Sequence, residues 1–440
     1  MAIFRVKDYL GRAAMTKRAK RWLLAGAALV GIGALAFELF EPFFYYSSGW
    51  EQVPEGPYPS TTSHAPGWDA VAVRASAWLV ETRAALGTPT LSAAVSVDGE
   101  RVWTGVAGFA DLASSKPATA STVFRIGSSS KAVTSVAMGV LLAERAVDLD
   151  APVSRYLPDL AEPLSSVTTR QAMSHTAGVR EYGVCPCFPI WEYYSTKHYD
   201  SQREALQPFE RSDLLFPPGE GFSYSSYGYN LAGAVIESVT GQAFGEFLRT
   251  RVSEPLGMHS THVEDGRALP ERATFYELRN DVYKEVFDID LTNRLPSGGI
   301  VSTPSDMVRL GHQMIEPTLF DERTRDALIR RQPLADGRDN PQGYALGWRV
   351  HELDVLDGAK KTLVLHHHGV SYGSVSNFAV YPEYGIVVSV MMNKNQGSFG
   401  DAPVRLADLF IEATTAGRGQ SERRVRRHDG GVRFGARFSR

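Results

Sequence analysis

Strand signals bounded by turns occur at the two ends of the body of this 440-residue chain. Near the front, residues 91–97 and 101–106 flank Asp98-Gly99, a dipeptide suited to the positive backbone angles of a two-residue hairpin. Near the back, residues 362–368, Ser374–Tyr381 and Ile386–Met392 form three more runs, the last two joined by the turn Pro382-Glu383-Tyr384-Gly385. Strands separated this far bury their apolar faces only by coming together. The expectation is an α+β fold: an antiparallel sheet built from both ends of the domain, flanking helices, and a mostly helical inserted region.

Between the strand runs the apolar period changes. Val133, Val136, Ala137, Val140 and Leu141 recur at spacings of three and four, one buried helical face, with Ser128 at its start. An earlier helix is expected from Asp69, with Val73, Ala77, Val80 and Ala84 as its stripe and Gly87 and Pro89 as its stop. Residues 152–313 mix short helical patterns with Pro- and Gly-rich turns, and no secure elements emerge there.

The N-terminus is of a different kind. Arg5, Lys7, Arg12, Lys17, Arg18, Lys20 and Arg21 stand against Asp8, and charge then vanishes over 22–37. That apolar run would span roughly 24 Å as a helix, short of a bilayer core of about 30 Å. The aromatic group Phe37, Phe40, Phe43, Phe44, Tyr45 and Tyr46 follows and suits a membrane interface. These features predict a basic cytoplasmic segment (1–21), a transmembrane anchor or signal segment (22–45) and a linker (46–67). The fold would occupy 68–416, and 417–440 would be a disordered basic tail. The positive-inside rule then gives a single-pass inner-membrane protein with its body in the periplasm. Cleavage near Ala36 would instead release it there, and a mitochondrial presequence is a lesser alternative.

A formal charge of −3 and the absence of a basic block inside the body argue against a nucleic-acid partner. Cys185 and Cys187, one proline apart, form neither a disulfide framework nor a zinc-ribbon pair, and read as free thiols or one local bridge.

Ser128-Ser129-Ser130-Lys131 puts a hydroxyl three residues before an ammonium at a helix start, on one face. A serine becomes a nucleophile when a neighbouring base takes its proton, and a desolvated lysine is such a base. The helix N-terminus adds N–H donors where an oxyanion must be held. Alone, one Ser-x-x-Lys match is expected by chance in a chain of this size.

The flanking segments are more specific. Phe124-Arg125-Ile126-Gly127 and Val147-Asp148-Leu149-Asp150 surround the motif, and Ser174-His175-Thr176-Ala177-Gly178-Val179 follows. Pro218-Gly219 then leads into Phe222-Ser223-Tyr224-Ser225-Ser226-Tyr227-Gly228-Tyr229, and Gly298-Gly299-Ile300-Val301-Ser302-Thr303 and His367-His368-Gly369 complete the order. In this collinear sequence, over about residues 70 to 410, the chain resembles the class C β-lactamase and penicillin-binding superfamily, with a β-lactamase/transpeptidase-like fold. Its motifs are most similar to the mitochondrial serine β-lactamase-like members and their bacterial relatives.

The resemblance implies roles. Ser128 would be the acylated nucleophile, Lys131 its base and Tyr224 a proton relay. The backbone N–H groups of Ser128 and Val370 would hold the oxyanion, with His367, Gly369 and Ser226 lining the substrate site. Two departures matter. Ser226 stands where antibiotic-degrading members have asparagine, and a hydroxyl cannot span the contacts of an amide. His367 stands where they have lysine, giving a weaker, pH-dependent cation for a substrate carboxylate. Both point toward peptide or ester bonds and at most weak β-lactamase activity. Neighbouring His366 and His368 would face away from His367 on a strand, so the three cannot share a metal. His175 reads as a structural histidine in a turn. No metal and no cofactor are expected. A catalytically silent membrane-anchored scaffold and a penicillin-binding sensor that never deacylates are the competing readings.

Overall fold

The computed structural model describes residues 17–183, 192–395 and 397–429, which leaves Cys185 and Cys187 outside the described residues. At its centre the strands β1 (Ser60–His64), β2 (Thr90–Val97), β3 (Glu100–Asp111), β4 (Arg349–Val355), β5 (Lys360–Ser371), β6 (Ser374–Tyr381) and β7 (Ile386–Met392) form one sheet in the order β4-β5-β6-β7-β2-β3-β1. All of these pairings are antiparallel. The seam is β7 against β2, with Ile386 opposite Val97 and Met392 opposite Leu91. The two ends of the sequence therefore meet in the middle of the sheet. Both seam strands are buried along their whole length, which is why neither carries a charged residue. Asp98 and Gly99 take φ of 47° and 84°, the positive pair that closes a two-residue hairpin.

The main longer helices are α1 (Lys17–Ser47), α2 (Asp69–Leu86), α3 (Ser130–Ala143), α4 (Ser226–Thr240), α5 (Pro304–His312) and α6 (Ala402–Asp429). Helices α2 and α6 cover one face of the sheet, burying Trp78, Leu79, Trp103, Leu406 and Phe410. On the other face α5 lies on β2, β6 and β7, and α3 and α4 belong to the larger core on that side. The expected face of α3 is buried in full, Val133, Val136 and Ala137 completely.

Several expectations need correction. The helix from Asp69 forms and ends at Gly87, φ 56°, but Val73, Ala77, Val80 and Ala84 are its exposed stripe. The buried stripe is Val71, Ala75, Trp78, Leu79 and Thr82. The helix carries apolar residues on both stripes, and the one with the larger side chains faces the core because burial energy scales with area. The segment read as a linker supplies an edge strand, β1, which pairs Ser60 with Ala107 and His64 with Trp103. Every residue of β1 is exposed, so no apolar alternation marked it. Of the tail read as disordered, 417–429 continues α6 to Asp429, and 430–440 lies outside the described residues.

The transmembrane expectation is also not supported. Helix α1 spans roughly 46 Å at 1.5 Å per residue, yet among the described residues no helix is long and apolar enough to cross a membrane. Its sequence places Glu38 and Glu41 within the aromatic stretch. Tyr45, expected at a bilayer interface, packs on the domain instead, 5.0 Å from the Phe287 ring and with the Lys284 ammonium 3.7 Å from its own centroid.

Candidate active site

The chain enters the site along a short strand, Phe124–Arg125, which pairs with Ile300–Ser302. Arg125 is only 1% exposed. Its Nε and Nη2 donate to the Glu264 carboxylate at 2.8 and 2.6 Å, and its Nη1 donates to the Tyr372 carbonyl at 3.0 Å. A buried two-pronged pair of this kind fixes direction as well as position. Gly127 then takes φ 50°, Gly127–Ser129 makes a tight turn, and α3 starts at Ser130.

Strand β5 runs hard against that turn. A Cβ on Gly127 would lie 2.5 Å from the Val370 carbonyl oxygen, and one on Gly369 would lie 1.9 Å from that of Ile126. Glycine at both positions brings the Val370 backbone up to the residue before Ser128. The hydroxyls of Ser129 and Ser376 meet at 2.8 Å, and Ser129 also donates to the His367 carbonyl at 3.3 Å, which ties turn to strand.

Lys131 has no exposed surface. Its Nζ donates to Ser128 Oγ at 3.1 Å, Ser226 Oγ at 3.2 Å and the Ser297 carbonyl at 3.0 Å. Burial pushes the ammonium down to about 7; Arg349 and Arg294 add to the effect and Glu181 opposes it. The group thus sits where a lysine can accept a proton at neutral pH.

Tyr224 immediately precedes the capped start of α4, where Ser225 Oγ accepts from the Gly228 amide at 3.2 Å. The Lys131 ammonium lies 4.9 Å from its ring centroid. Burial holds the phenol protonated well above its usual range, opposed by a hydrogen bond with Ser128. The sequence-predicted trio of Ser128, Lys131 and Tyr224 is therefore brought together, with Ser226 as the first residue of α4 and in direct contact with Lys131.

His367 is fully buried. Its Nε2 lies 2.9 Å from the Tyr344 hydroxyl and its Nδ1 lies 2.8 Å from the His368 carbonyl. A carbonyl only accepts, so Nδ1 carries the proton and Nε2 accepts from Tyr344. Burial pushes the ring well below the usual histidine range, and Arg349 adds to this. The imidazole is thus neutral, and the expected pH-dependent cation for a substrate carboxylate is not found at this position. His366 and His368 are half-buried on the opposite face of β5, as strand alternation requires. His175, at φ 63°, accepts the Ser225 amide on Nδ1 at 3.1 Å and packs 4.2 Å from Tyr224 and 4.4 Å from Tyr344. Its ring packs behind Tyr224 as part of an aromatic wall.

Three further groups belong to the site. The Glu181 carboxylate accepts from the Ser226 amide. The Arg349 guanidinium, at the start of β4, lies 5.4 Å from the Tyr224 centroid and 5.5 Å from that of Tyr344, and donates to Gln342 Oε1 at 2.9 Å. Ser297 supplies the third acceptor for Lys131. Ser297 adjoins the Gly298-Gly299 motif and was within reach of sequence reasoning; Glu181 and Arg349 carry no local pattern.

The family model described as Beta-lactamase matches residues 75–411. Among curated proteins, the human mitochondrial serine β-lactamase-like protein LACTB is 25% identical over 426 residues, covering 74% of this chain and 77% of its own length. Esterase EstB of Burkholderia gladioli is 25% identical over 357 residues, covering 72% of this chain and 89% of its own. The D-amino acid amidase of Ochrobactrum anthropi superposes with a TM-score of 0.65 at 22% identity, over 80% of this chain and 99% of its own, a likeness of fold. With a family model spanning most of its length and the Ser-x-x-Lys pair assembled at 3.1 Å around a buried lysine, the chain belongs to the β-lactamase family of serine hydrolases.

Proposed function

We propose that this protein hydrolyses small peptides or esters through an acyl-enzyme on Ser128, with at most weak β-lactamase activity. The observation that carries the proposal is the 3.1 Å contact between Ser128 Oγ and a buried Lys131 whose ammonium is pushed down to about 7. In this reading Ser128 Oγ attacks the substrate carbonyl as its proton passes to Lys131. The Ser128 and Val370 amides hold the oxyanion, Tyr224 relays the proton held by Lys131 on to the leaving group and so ends the step as a neutral phenol, and water then releases the acyl group. Ester and amide substrates are supported by the activities named for EstB and the D-amino acid amidase. Ser226 in place of an amide and a neutral His367 both count against efficient lactam turnover.

Arg349 favours a refinement. It forms no ion pair among the described residues and stands beside Tyr224, so it supplies the positive charge that His367 lacks for an anionic substrate group. Turnover of p-nitrophenyl esters, aminoacyl p-nitroanilides and a chromogenic cephalosporin should separate the readings. Ester or amide hydrolysis abolished by Ser128→Ala is expected. A stable adduct without turnover would favour the sensor, and no adduct the scaffold.

The inner-membrane location with a periplasmic body is proposed on the basic N-terminal cluster together with exposed Trp22, Leu23, Leu24, Leu29, Val30 and Ile32 on α1. Flotation of the full chain with liposomes, lost on replacing Leu23, Leu24, Leu29 and Val30 by Ser, tests attachment. Protease protection of the body in whole cells tests sidedness.

A further inference from the structure

We infer that Glu181 is a positioning residue of this site: its carboxylate, braced on the first residue of α4, is the counter-charge against which Lys131 takes up the Ser128 proton. This rests on reading Ser128 and Lys131 as the acylation pair.

The geometry is a chain of contacts. Lys131 Nζ donates to Ser128 Oγ at 3.1 Å on one side and to Ser226 Oγ at 3.2 Å on the other, and the amide of the same Ser226 donates to the Glu181 carboxylate. Among the described residues the charged groups acting on Lys131 are Arg349, Arg294 and Glu181, of which Glu181 is the anion. Arg294 spends its guanidinium on the Asn293 side chain at 2.9 Å and on the carbonyls of Glu192, at 2.9 Å, and Tyr193, at 2.5 Å. It therefore does not neutralise Glu181 by direct pairing. Among the described residues, the other titratable groups facing Glu181 are the phenols of Tyr182 and Tyr224, which burial holds neutral, and Arg180, which donates to the Glu181 backbone carbonyl at 3.1 Å and pairs its charge with the Glu192 carboxylate. Burial pushes the Glu181 carboxyl up and Lys131 pulls it back, as expected of two opposite charges close together away from solvent.

The consequence concerns the proton step. As Ser128 Oγ bonds to the substrate carbonyl carbon, its O–H bond breaks and the proton goes to Lys131 Nζ, leaving an ammonium in a site that already holds two arginines. A carboxylate one serine away offsets that new charge, so the ammonium forms without an uncompensated buried cation. No local sequence pattern marks the role, because Glu181 lies 50 residues from Lys131 and meets it only through Ser226.

The test is the pH dependence of Ser128 labelling by a fluorophosphonate probe, about pH 5 to pH 9, in the wild type, Glu181→Gln and Glu181→Asp. Labelling should rise with pH as Lys131 loses its proton. Without the anion the lysine gives up its proton more readily, so the Glu181→Gln midpoint should fall by about one pH unit or more. Glu181→Asp, with its carboxylate drawn back by one methylene, should fall part of the way, and serves if Glu181→Gln does not fold. A merely structural role would lower rate or yield without moving the midpoint. Midpoints that superpose on the wild type overturn the inference, whereas a wild type that never labels at Ser128 overturns the proposed function instead.

Discussion

Lys131 and Tyr224 lie side by side, the ammonium 4.9 Å from the ring centroid, and are shifted in opposite directions, because burial penalises whichever form carries charge. The ammonium is pushed down to about 7 and the phenolate is put out of reach, which leaves a base and an acid side by side at neutral pH. Acylation should therefore rise through about pH 7 and level off above it, since the working lysine is the unprotonated one. A pH–rate profile for a neutral ester checks this, and a rate that falls across the same range would contradict it. Tyr224→Phe keeps the ring against His175 and removes only the hydroxyl, so turnover should drop roughly 10²- to 10⁴-fold with the fold intact. These residues were legible in the sequence because their chemistry is written in short spacings: Ser128 and Lys131 three apart, Tyr224 and Ser226 two apart. Glu181 and Arg349 were not, since a charge on an unpatterned loop or at the start of an alternating edge strand gains meaning only from what the fold sets beside it. The same limit explains His367, whose motif position was readable but whose neutrality depends on burial under Tyr344.

At the level of elements, the close approach of β5 to the nucleophile turn is the most demanding feature. Gly369→Ala would place a methyl 1.9 Å from the Ile126 carbonyl oxygen, so turn and strand must part. A loss of about 1–3 kcal/mol in stability is expected, and Ser128 labelling should fall by more than that loss alone implies; the variant's melting curve and labelling rate together show it. Helix α2 offers a cleaner contrast. Leu79→Ala opens a cavity under α2 and should cost about 2–5 kcal/mol, whereas Val73→Ser on the exposed stripe should stay within about 0.5 kcal/mol. Urea titrations distinguish this from the reverse assignment of faces. The helix itself was legible from Asp69 to its Gly87 stop, but the face was not, because a stretch of alternating Ala and Val satisfies the 3.6 period on two sides. Strands β1 and β4 were missed for a related reason: both lie at sheet edges, where little is buried and no apolar run is needed.

Across the whole molecule, the sheet seam joins the hairpin after α2 to the last strand before α6, and the segment between them folds back to deliver the site from four distant places. Ser128 and Lys131 come from the entry to α3, Tyr224 and Ser226 from the entry to α4, Ser297 from the short helix Leu295–Gly298, and His367 to Val370 from β5, and Glu181 and Arg349 join them from a loop and from the start of β4. An antiparallel sheet from both ends was legible because the strands near the back are β-branched or aromatic runs and the hairpin near the front carries its Asp98-Gly99 turn. The N-terminal and C-terminal segments were less so, since helix-forming composition alone does not say what a helix packs on. The most direct measurement is intact-mass spectrometry of the purified protein after exposure to a fluorophosphonate, with the modified peptide mapped and Ser128→Ala as the control. One adduct per chain on Ser128, absent from the control, is expected; a folded protein that takes no adduct, or takes it at another residue, would contradict Ser128 as the activated nucleophile.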